Sequence, residues 1–559
     1  MRRGQMVWPP QHLPRRWRNN MGRDFAAIQH LEGLSGLDLR LDLRPVRLKF
    51  LDSYPFHILK VYFKRYFSST FSSDLLRSLL AVFVRLMHTL FMGMNALSTH
   101  DKALGINIDA ARYGTFAEIG AGQEVARWFF HVGGAASTIA KTISAYDMAV
   151  SDAVYGPGRR YVSRQRLQSM MDHEWSLLLE RLEGTRGSTT KFFVFADTVT
   201  ARSFSRREEG QGWLGIRFQA EPRARPSEIM IHARMWDQEN ARQQEALGVL
   251  GVNLIYGAFN DHARPEVLIA SLMDSLTRDR MEVDMIRFAG PAFAPVDNRL
   301  MSLQLVQQRL THAALFAPDG EVVEPAELLY HAPVLIERGS FRPITRITLD
   351  MLERSLQLMR QERDMQGREP VVLMEMTLRN LLSLGEQVEH ADFLARMDTL
   401  RALGRTVMIS NYSRFHSVTT YLRRYTKERI GMVLGVPTMA QILEERHYED
   451  LAGGILEALG QLLGGPVRLY IYPWKNGEGE IVTAKTFKLP ARLRHLYEYL
   501  LENRFLEDIP APADADLSIL PHAVLARLQA GDPAWETLVP EKVVALIKER
   551  KLFDYGKTT

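Results

Sequence analysis

The chain has 559 residues, 46% of them hydrophobic and 24% charged, with 70 Lys/Arg, 65 Asp/Glu and no cysteine. That is enough chain for large buried cores and roughly two to four domains, which excludes disorder as the state of the bulk. Lack of cysteine excludes disulfides, thiolate-bound zinc, iron–sulfur clusters and thiol nucleophiles, and it suits a reducing compartment, so the expected location is cytoplasmic.

The net charge of +5 is placed unevenly. Residues 1–91 hold about 15 Lys/Arg against about 6 Asp/Glu, so about +9 lies there and about −4 on the rest. They form a basic N-terminal extension, opening with the Arg- and Pro-rich MRRGQMVWPPQHLPRRWRNN. The most hydrophobic run, Leu79 to Leu97, is broken by Arg85 and His88. A charge at mid-bilayer costs about 2.5 to 3.5 kcal/mol, so no membrane span is expected. The expected translation start is Met92 or Met94.

The segment 92–275 reads as a helical block with short strands. Val125, Phe129, Val132, Ala136, Ile139 and Ile143 recur at helical spacing, so Val125 to Val150 is expected to be helix throughout. Ser163 is a plausible N-cap for a helix carrying Leu167, Met170, Met171, Trp175, Leu178 and Leu182. Three strands follow, KFFVFADTV, WLGIRFQA and EIMIHARMW, the last two joined by a Pro-rich turn as a hairpin or meander, and then a helix from Asn240 to Phe259.

In 276–475, apolar runs alternate with helices: MEVDMIRF, HAALFA, PVLIE, PVVLMEMT, RTVMISN, RIGMVLG and VRLYIYPW. Strands apolar on both faces and joined by helices indicate a parallel sheet covered on both sides. The clearest unit is Ala391 to Asn411, where a helix ends at Gly404 and TVMISN follows at once. The segment 476–559 reads as a helical C-terminal region, with LRHLYEYLLENRF its best-patterned piece. The expected fold class is therefore α/β, with largely parallel strands covered by helices and further helical segments at both ends of the body.

Ligands of open parallel sheets bind beyond the C-terminal ends of the strands, which directs attention to Asp197, Arg287, Glu375, Ser410 and Asn411. The stretch YGTFAEIGAGQEVARWFF, Tyr113 to Phe130, runs from a short strand through two glycines into an amphipathic helix. This aims free N–H groups and a helix dipole at whatever lies before Gly120, which suits a phosphate or carboxylate. The catalytic candidates are Glu118, Asp197 and Glu375. The cofactor-binding candidates are Gly120, Gly122, Gln123, Arg287 and Asn411. No metal site is expected: phosphate-loop, zinc-helix and nucleophile-elbow motifs do not occur in the sequence.

Glu118, Gly120 and Gly122 resemble the acid-x-Gly-x-Gly motif of S-adenosylmethionine-dependent methyltransferases, with Glu124 in place of the third glycine. Gly114, Thr115, Phe116, Ile119 and Gly122 resemble the signature of nicotinate-nucleotide adenylyltransferases, echoed further on by Ile409, Ser410, Asn411 and Arg414. Gly120 and Gln123 stand where that family has two phosphate-contacting histidines. From about Met94 to Phe553 the chain resembles a family of bacterial cytosolic proteins labelled nicotinate-nucleotide adenylyltransferase or TonB-dependent receptor. The resemblance rests on GTFAEIGAGQEVARWFF, DNRLMSLQLV, VLIERGSFRP and YLRRYTKERIG. These resemblances imply a nucleotide- or phosphate-ligand enzyme with a nucleotide or phosphorylated metabolite as cofactor. The alternative is a non-catalytic sensing, binding or scaffold protein.

His232 and Arg234 alternate along one strand, face the same side and are placed to meet an anion. The cluster YLRRYTKER mixes aromatic and basic residues, but the acidic balance of the body favours a helix surface over nucleic-acid binding. The expected partner is an anionic small molecule, with oligomeric state left open. A single-site enzyme requires Glu118, Gln123, Asp197, Arg287 and Glu375 to converge on one cleft.

Overall fold

A computed structural model describes residues 97–202, 209–382, 387–510, 517 and 521–556; the expectations for residues 1–96, the late start among them, lie outside these. The described elements all belong to one compact unit, Asn95–Thr559. Among the described residues, no helix is long and apolar enough to cross a membrane.

This unit is α/β and contains two large sheets. The first has six strands in the order β2-β1-β3-β4-β5-β6: β1 (Arg112–Gly120), β2 (Ile139–Ser144), β3 (Lys191–Thr200), β4 (Gly210–Phe218), β5 (Ser227–Met235) and β6 (Met281–Ala289). Strand β1 pairs in parallel with β2 and β3, and β3 to β6 continue as an antiparallel meander. One face buries Phe116, Phe193, Phe195, Ile216 and Phe218. It packs under helix α1 (Glu124–Val132), through Val125 and Phe129, and under the helix Asn240–Asn260. The other face packs Phe192, Val194 and Trp213 against α2 (Arg164–Arg186), whose Leu167, Met170, Met171 and Trp175 are the predicted stripe. Ser163 caps this helix as expected, its hydroxyl accepting from the Arg166 N–H at 3.2 Å.

Two expectations fail here. Val125 to Val150 is not one helix: α1 stops at Val132 because Gly133 and Gly134 take φ of 83° and 78°, and β2 follows. Glycines take left-handed backbone angles at little steric cost, and they override the apolar spacing that continues beyond them. Met281–Ala289, read as the opening strand of the parallel sheet, instead pairs antiparallel with β5 at the edge of the first sheet.

The second sheet has eight strands in the order β16-β13-β12-β9-β10-β11-β7-β8. They are β7 (Ala313–Phe316), β8 (Val322–Val323), β9 (Val334–Arg338), β10 (Val371–Thr377), β11 (Thr406–Ser410), β12 (Ile430–Gly435), β13 (Val467–Tyr472) and β16 (Leu506–Asp508). The remaining two, β14 (Trp474–Lys475) and β15 (Ile481–Val482), form a small hairpin of their own. Six of the eight strands run parallel; β7 joins β11 antiparallel and carries β8, so HAALFA departs from the expected parallel set. The C-terminal region, expected to be helical, also supplies β16 to the sheet.

Helices α3 (Arg346–Arg360) and α4 (His390–Ala402) pack on one face through Leu352, Met359, Phe393 and Leu400. Helices α5 (Phe415–Leu422) and α6 (Gly454–Leu463) cover the other through Val418, Leu422, Leu459 and Leu462. Counted along the chain from β9, the parallel strands stand in the order 3-2-1-4-5-6, the doubly wound arrangement. The chain steps from β9 toward β10 on one side and from β12 toward β13 on the other. The connections therefore diverge between β9 and β12, and a crevice opens at their C-terminal ends.

Candidate functional site

The Tyr113 to Gln123 corner holds five of the eight candidates. Glu118 and Asp197 are register partners at the C-terminal ends of β1 and β3, 2% and 0% exposed. One Glu118 oxygen accepts the Ala126 N–H at 3.2 Å, so an acceptor for the α1 N-terminus is supplied by the protein itself. Gly120 sits at φ 78°, where a Cβ would lie 2.1 Å from the Val199 carbonyl oxygen. A Cβ on Gly122 would lie 1.9 Å from Asp197 Oδ1, so that glycine is needed for the turn to rest on the buried acid. The Gln123 amide donates to the Gly120 carbonyl and to Ser144 Oγ at 2.9 Å, closing the turn.

Burial is the main cause that pushes the Glu118 carboxyl up to about 8, its backbone donors opposing in part. Burial and the neighbouring Glu118 charge push Asp197 well above the carboxylate range. Neither Asp197 oxygen has a donor in hydrogen-bonding geometry, and the Ile119 N–H offsets its shift only in part. Both carboxyls are therefore held toward the protonated form, each by burial and Asp197 also by the charge of Glu118 beside it. Gly114 and Phe116 of the same motif are core elements: a Cβ on Gly114 would strike the Phe193 carbonyl, and Phe116 is fully buried.

The other three candidates lie elsewhere. Arg287 is on β6, 3.7 Å from Glu321. Glu375 on β10 is fully buried and fully engaged: Arg338 donates to both its oxygens at 2.9 Å and Ser410 Oγ to one at 2.5 Å. This trio ties together the ends of β9, β10 and β11. Asn411 follows β11, its backbone N–H bonded to the His312 carbonyl at 2.9 Å. The candidates divide between the two sheets, five at the end of β1 and β3 and three elsewhere.

The crevice between β9 and β12 contains a cavity of about 300 Å³, the size of a small-molecule site. The loop after β9 supplies Gly339, Phe341 and Pro343, and the turn after β12 supplies Gly435 and Pro437. Tyr472, Pro473 and Trp474 close the side at the end of β13. The first turn of α3 contributes Ile347 and Thr348. The Thr345 hydroxyl caps the Thr348 N–H at 3.3 Å, and the first helical bond runs from Leu349 to Thr345. The N–H groups of Arg346 and Ile347 precede that ladder, and the side of the first two turns borders the cavity through Ile347, Thr348 and Met351.

Among the described lining residues, Glu337 is the one carboxyl group and Arg338 the one guanidinium. Glu337 is 4% exposed, its Oε2 is buried without a partner, and burial pushes it well above the carboxylate range, with Arg405 opposing. An unpaired buried acid costs about 1 to 3 kcal/mol or more; Glu337 lines the cavity, while its Oε2 is itself shielded from solvent. It was not among the sequence candidates. The available signal was an acid at the C-terminal end of an apolar strand, VLIER, the same pattern that drew attention to Glu375 in VLMEM.

His232 and Arg234 do meet anions, and those anions belong to the protein. His232 Nδ1 lies 2.5 Å from Asp284 Oδ1, and Arg234 donates to Asp284 at 2.8 Å and to Glu324 at 2.6 Å. Burial works against ionised Asp284, but His232 and Arg234 hold its carboxyl below the usual range. His232, Asp284 and Glu324 bring metal-type donors within 4.8 Å of one another, yet the Arg234 guanidinium already bridges the two carboxylates. Arg234 links β5 to the Glu324 turn beside β8, so this cluster fastens one sheet to the other. In YLRRYTKER, Tyr421 and Tyr425 are buried and Arg424 stacks 5.2 Å from the Trp236 ring, which leaves no aromatic face for bases.

No protein-family model matches the chain, and no curated protein matches it. Among solved structures, it is similar to the competence/damage inducible protein CihA from Agrobacterium tumefaciens, at 15% identity over 28% of this chain and 93% of that one, TM-score 0.21. A CinA superfamily protein from Klebsiella pneumoniae gives 15% identity over 29% and 95%, TM-score 0.21. One from Escherichia coli gives 13% over 28% and 84%, TM-score 0.20. Likenesses at these scores carry no argument about what this chain does.

Proposed function

We propose that the chain binds a nucleotide-class ligand, a planar ring joined to an anionic group, in the cleft between β9 and β12. The observation that carries this reading is the coincidence of the cavity with the point where the strand order reverses, where ligands of doubly wound sheets bind. The lining supports it: the start of α3 suits the anionic group, and Phe341, Tyr472 and Trp474 with Pro343, Pro437 and Pro473 suit the ring.

The reading is one of binding. The carboxyls expected to act as catalysts, Glu118 and Asp197, are buried in the other sheet, and Glu375 is held by Arg338 and Ser410. The test is a thermal-shift titration of the full chain with nucleoside monophosphates, repeated with Gly435→Trp. A Cβ at Gly435 meets only Pro437, at 3.6 Å, so the indole fills the cleft without backbone conflict. A ligand at 100 times its Kd adds about 2.7 kcal/mol of stability. The expected result is a shift in the parent and none in Gly435→Trp. Equal shifts in both proteins, or none in either, sink the proposal.

A further inference from the structure

We infer that the cavity at the start of α2 is a second binding site, for a phosphoryl group, gripped by Arg159 and Arg160. It lies apart from the β9–β12 cleft, since α2 packs on the first sheet.

Three observations carry it. A cavity of about 360 Å³ opens where the loop 156–163 turns into α2. Its lining holds three guanidiniums, those of Arg159, Arg160 and Arg166, and no carboxyl group. Arg166 is paired with Asp152 at 2.7 Å, whereas among the described residues Arg159 and Arg160 enter no ion pair. Glu327 feels the charges of Arg160 and Arg164 without pairing with either. Three guanidiniums less the one balanced by Asp152 leave two positive charges at the cavity, which match a phosphate dianion.

The loop that carries them is fastened at both ends. Buried Arg166 donates to the Gly156 carbonyl at 2.7 Å, and the Ser163 hydroxyl donates to the Arg160 carbonyl at 2.9 Å. The Tyr161 hydroxyl donates to Asp152 at 2.8 Å. Two like charges are thus kept at one cavity, and an anion between them relieves their repulsion. The N–H groups of Arg164 and Gln165 precede the helical ladder, which opens with Leu167 donating to Ser163, and they add donors at the same end. Guanidinium forks bond phosphate oxygens more strongly than neutral donors do. Tyr155 is the one aromatic ring in the lining and its hydroxyl is spent on Glu174, so the phosphoryl group and not a base is the part recognised.

The test is calorimetry of the full chain with inorganic phosphate and with glycerol 3-phosphate, in about 0.15 M salt to screen diffuse surface charge. Arg159→Gln/Arg160→Gln removes two exposed, unpaired cations, which the fold tolerates. Arg242→Gln/Arg264→Gln makes the same change in net charge at exposed positions outside the lining. The parent is expected to bind at least one of the two ligands. The Arg159/Arg160 variant weakens that binding about tenfold or more, while the Arg242/Arg264 variant and Gly435→Trp stay within about twofold of the parent. No binding by the parent, an unchanged affinity in the Arg159/Arg160 variant, or equal weakening in both double variants overturns the inference. If Gly435→Trp abolishes the binding, the phosphoryl group sits in the β9–β12 cleft, and this inference fails while the cleft reading stands. Saturating inorganic phosphate fills the α2 site, so nucleotide titrations run in phosphate buffer read the cleft alone.

Discussion

Replacing Glu118 by Gln should make the protein more stable above neutral pH, and the size of the effect follows from the buried pair. The Glu118 carboxyl is raised from 4.5 to about 8 on folding. A raised acid takes up a proton on folding, so its contribution is unchanged below pH 4.5 and turns unfavourable as pH rises from there to about 8. Each pH unit in that window costs about 1.4 kcal/mol, which makes about 3 kcal/mol at pH 7. Glutamine needs no proton, keeps an acceptor for the Ala126 N–H and offers its own N–H to Asp197, which has no donor in bonding geometry. Thermal midpoints of parent and Glu118→Gln, measured from pH 5 to 8.5, should coincide at the acid end and diverge as pH rises, the variant lying higher. A midpoint for Glu118→Gln below that of the parent at pH 8, or a gap that does not widen with pH, refutes the account of a raised, buried Glu118 carboxyl.

Gly122→Ala should lower the thermal midpoint by the equivalent of about 1 to 3 kcal/mol, since its methyl group falls on the Asp197 carboxyl; an unchanged midpoint would mean the turn yields freely. Arg234→Ala should cost about 3 to 5 kcal/mol, because it leaves Asp284 and Glu324 buried without their cation. Arg127→Ala, which removes an exposed i,i+3 pair with Glu124, should fall within about 0.5 kcal/mol of the parent in the same denaturation assay. Gly435→Trp should leave the far-ultraviolet circular dichroism of the parent intact while abolishing nucleotide shifts, which separates a filled cleft from a damaged fold.

How far the sequence could be read depended on which interactions were local. The meander β3 to β5 was legible because FFVFA, GIRF and IMIHA are apolar in strand-length runs bounded by turn residues. The parallel strands β9 to β13 were legible for the same reason, and Gly404, at φ 66°, ends α4 where expected. Strand β2 was not, because apolar spacing in EVARWFFHVGGAASTIAKTI continues through Gly133 and Gly134, whose positive φ breaks the helix. Pairing direction was also hidden: MEVDMIRF is as apolar as its parallel neighbours, and only its contact with β5 makes it antiparallel.

The site was legible in part for a related reason. Sequence reasoning located strand ends, and so found Asp197 and Glu375, while the glycine-rich segment drew attention to Glu118. It had no means of seeing that Arg338 and Ser410 occupy Glu375, or that Gly122 rests on Asp197. Glu337 passed unremarked because what distinguishes it, the lack of a partner beside an open cavity, is a property of three strands together.

The most direct measurement of the central claim is hydrogen–deuterium exchange on the full chain with and without saturating AMP. The account predicts added protection in the 338–349 and 433–438 segments, with no change across 118–126. Protection centred on 118–126, or none in the segments that line the β9–β12 cleft, would contradict it.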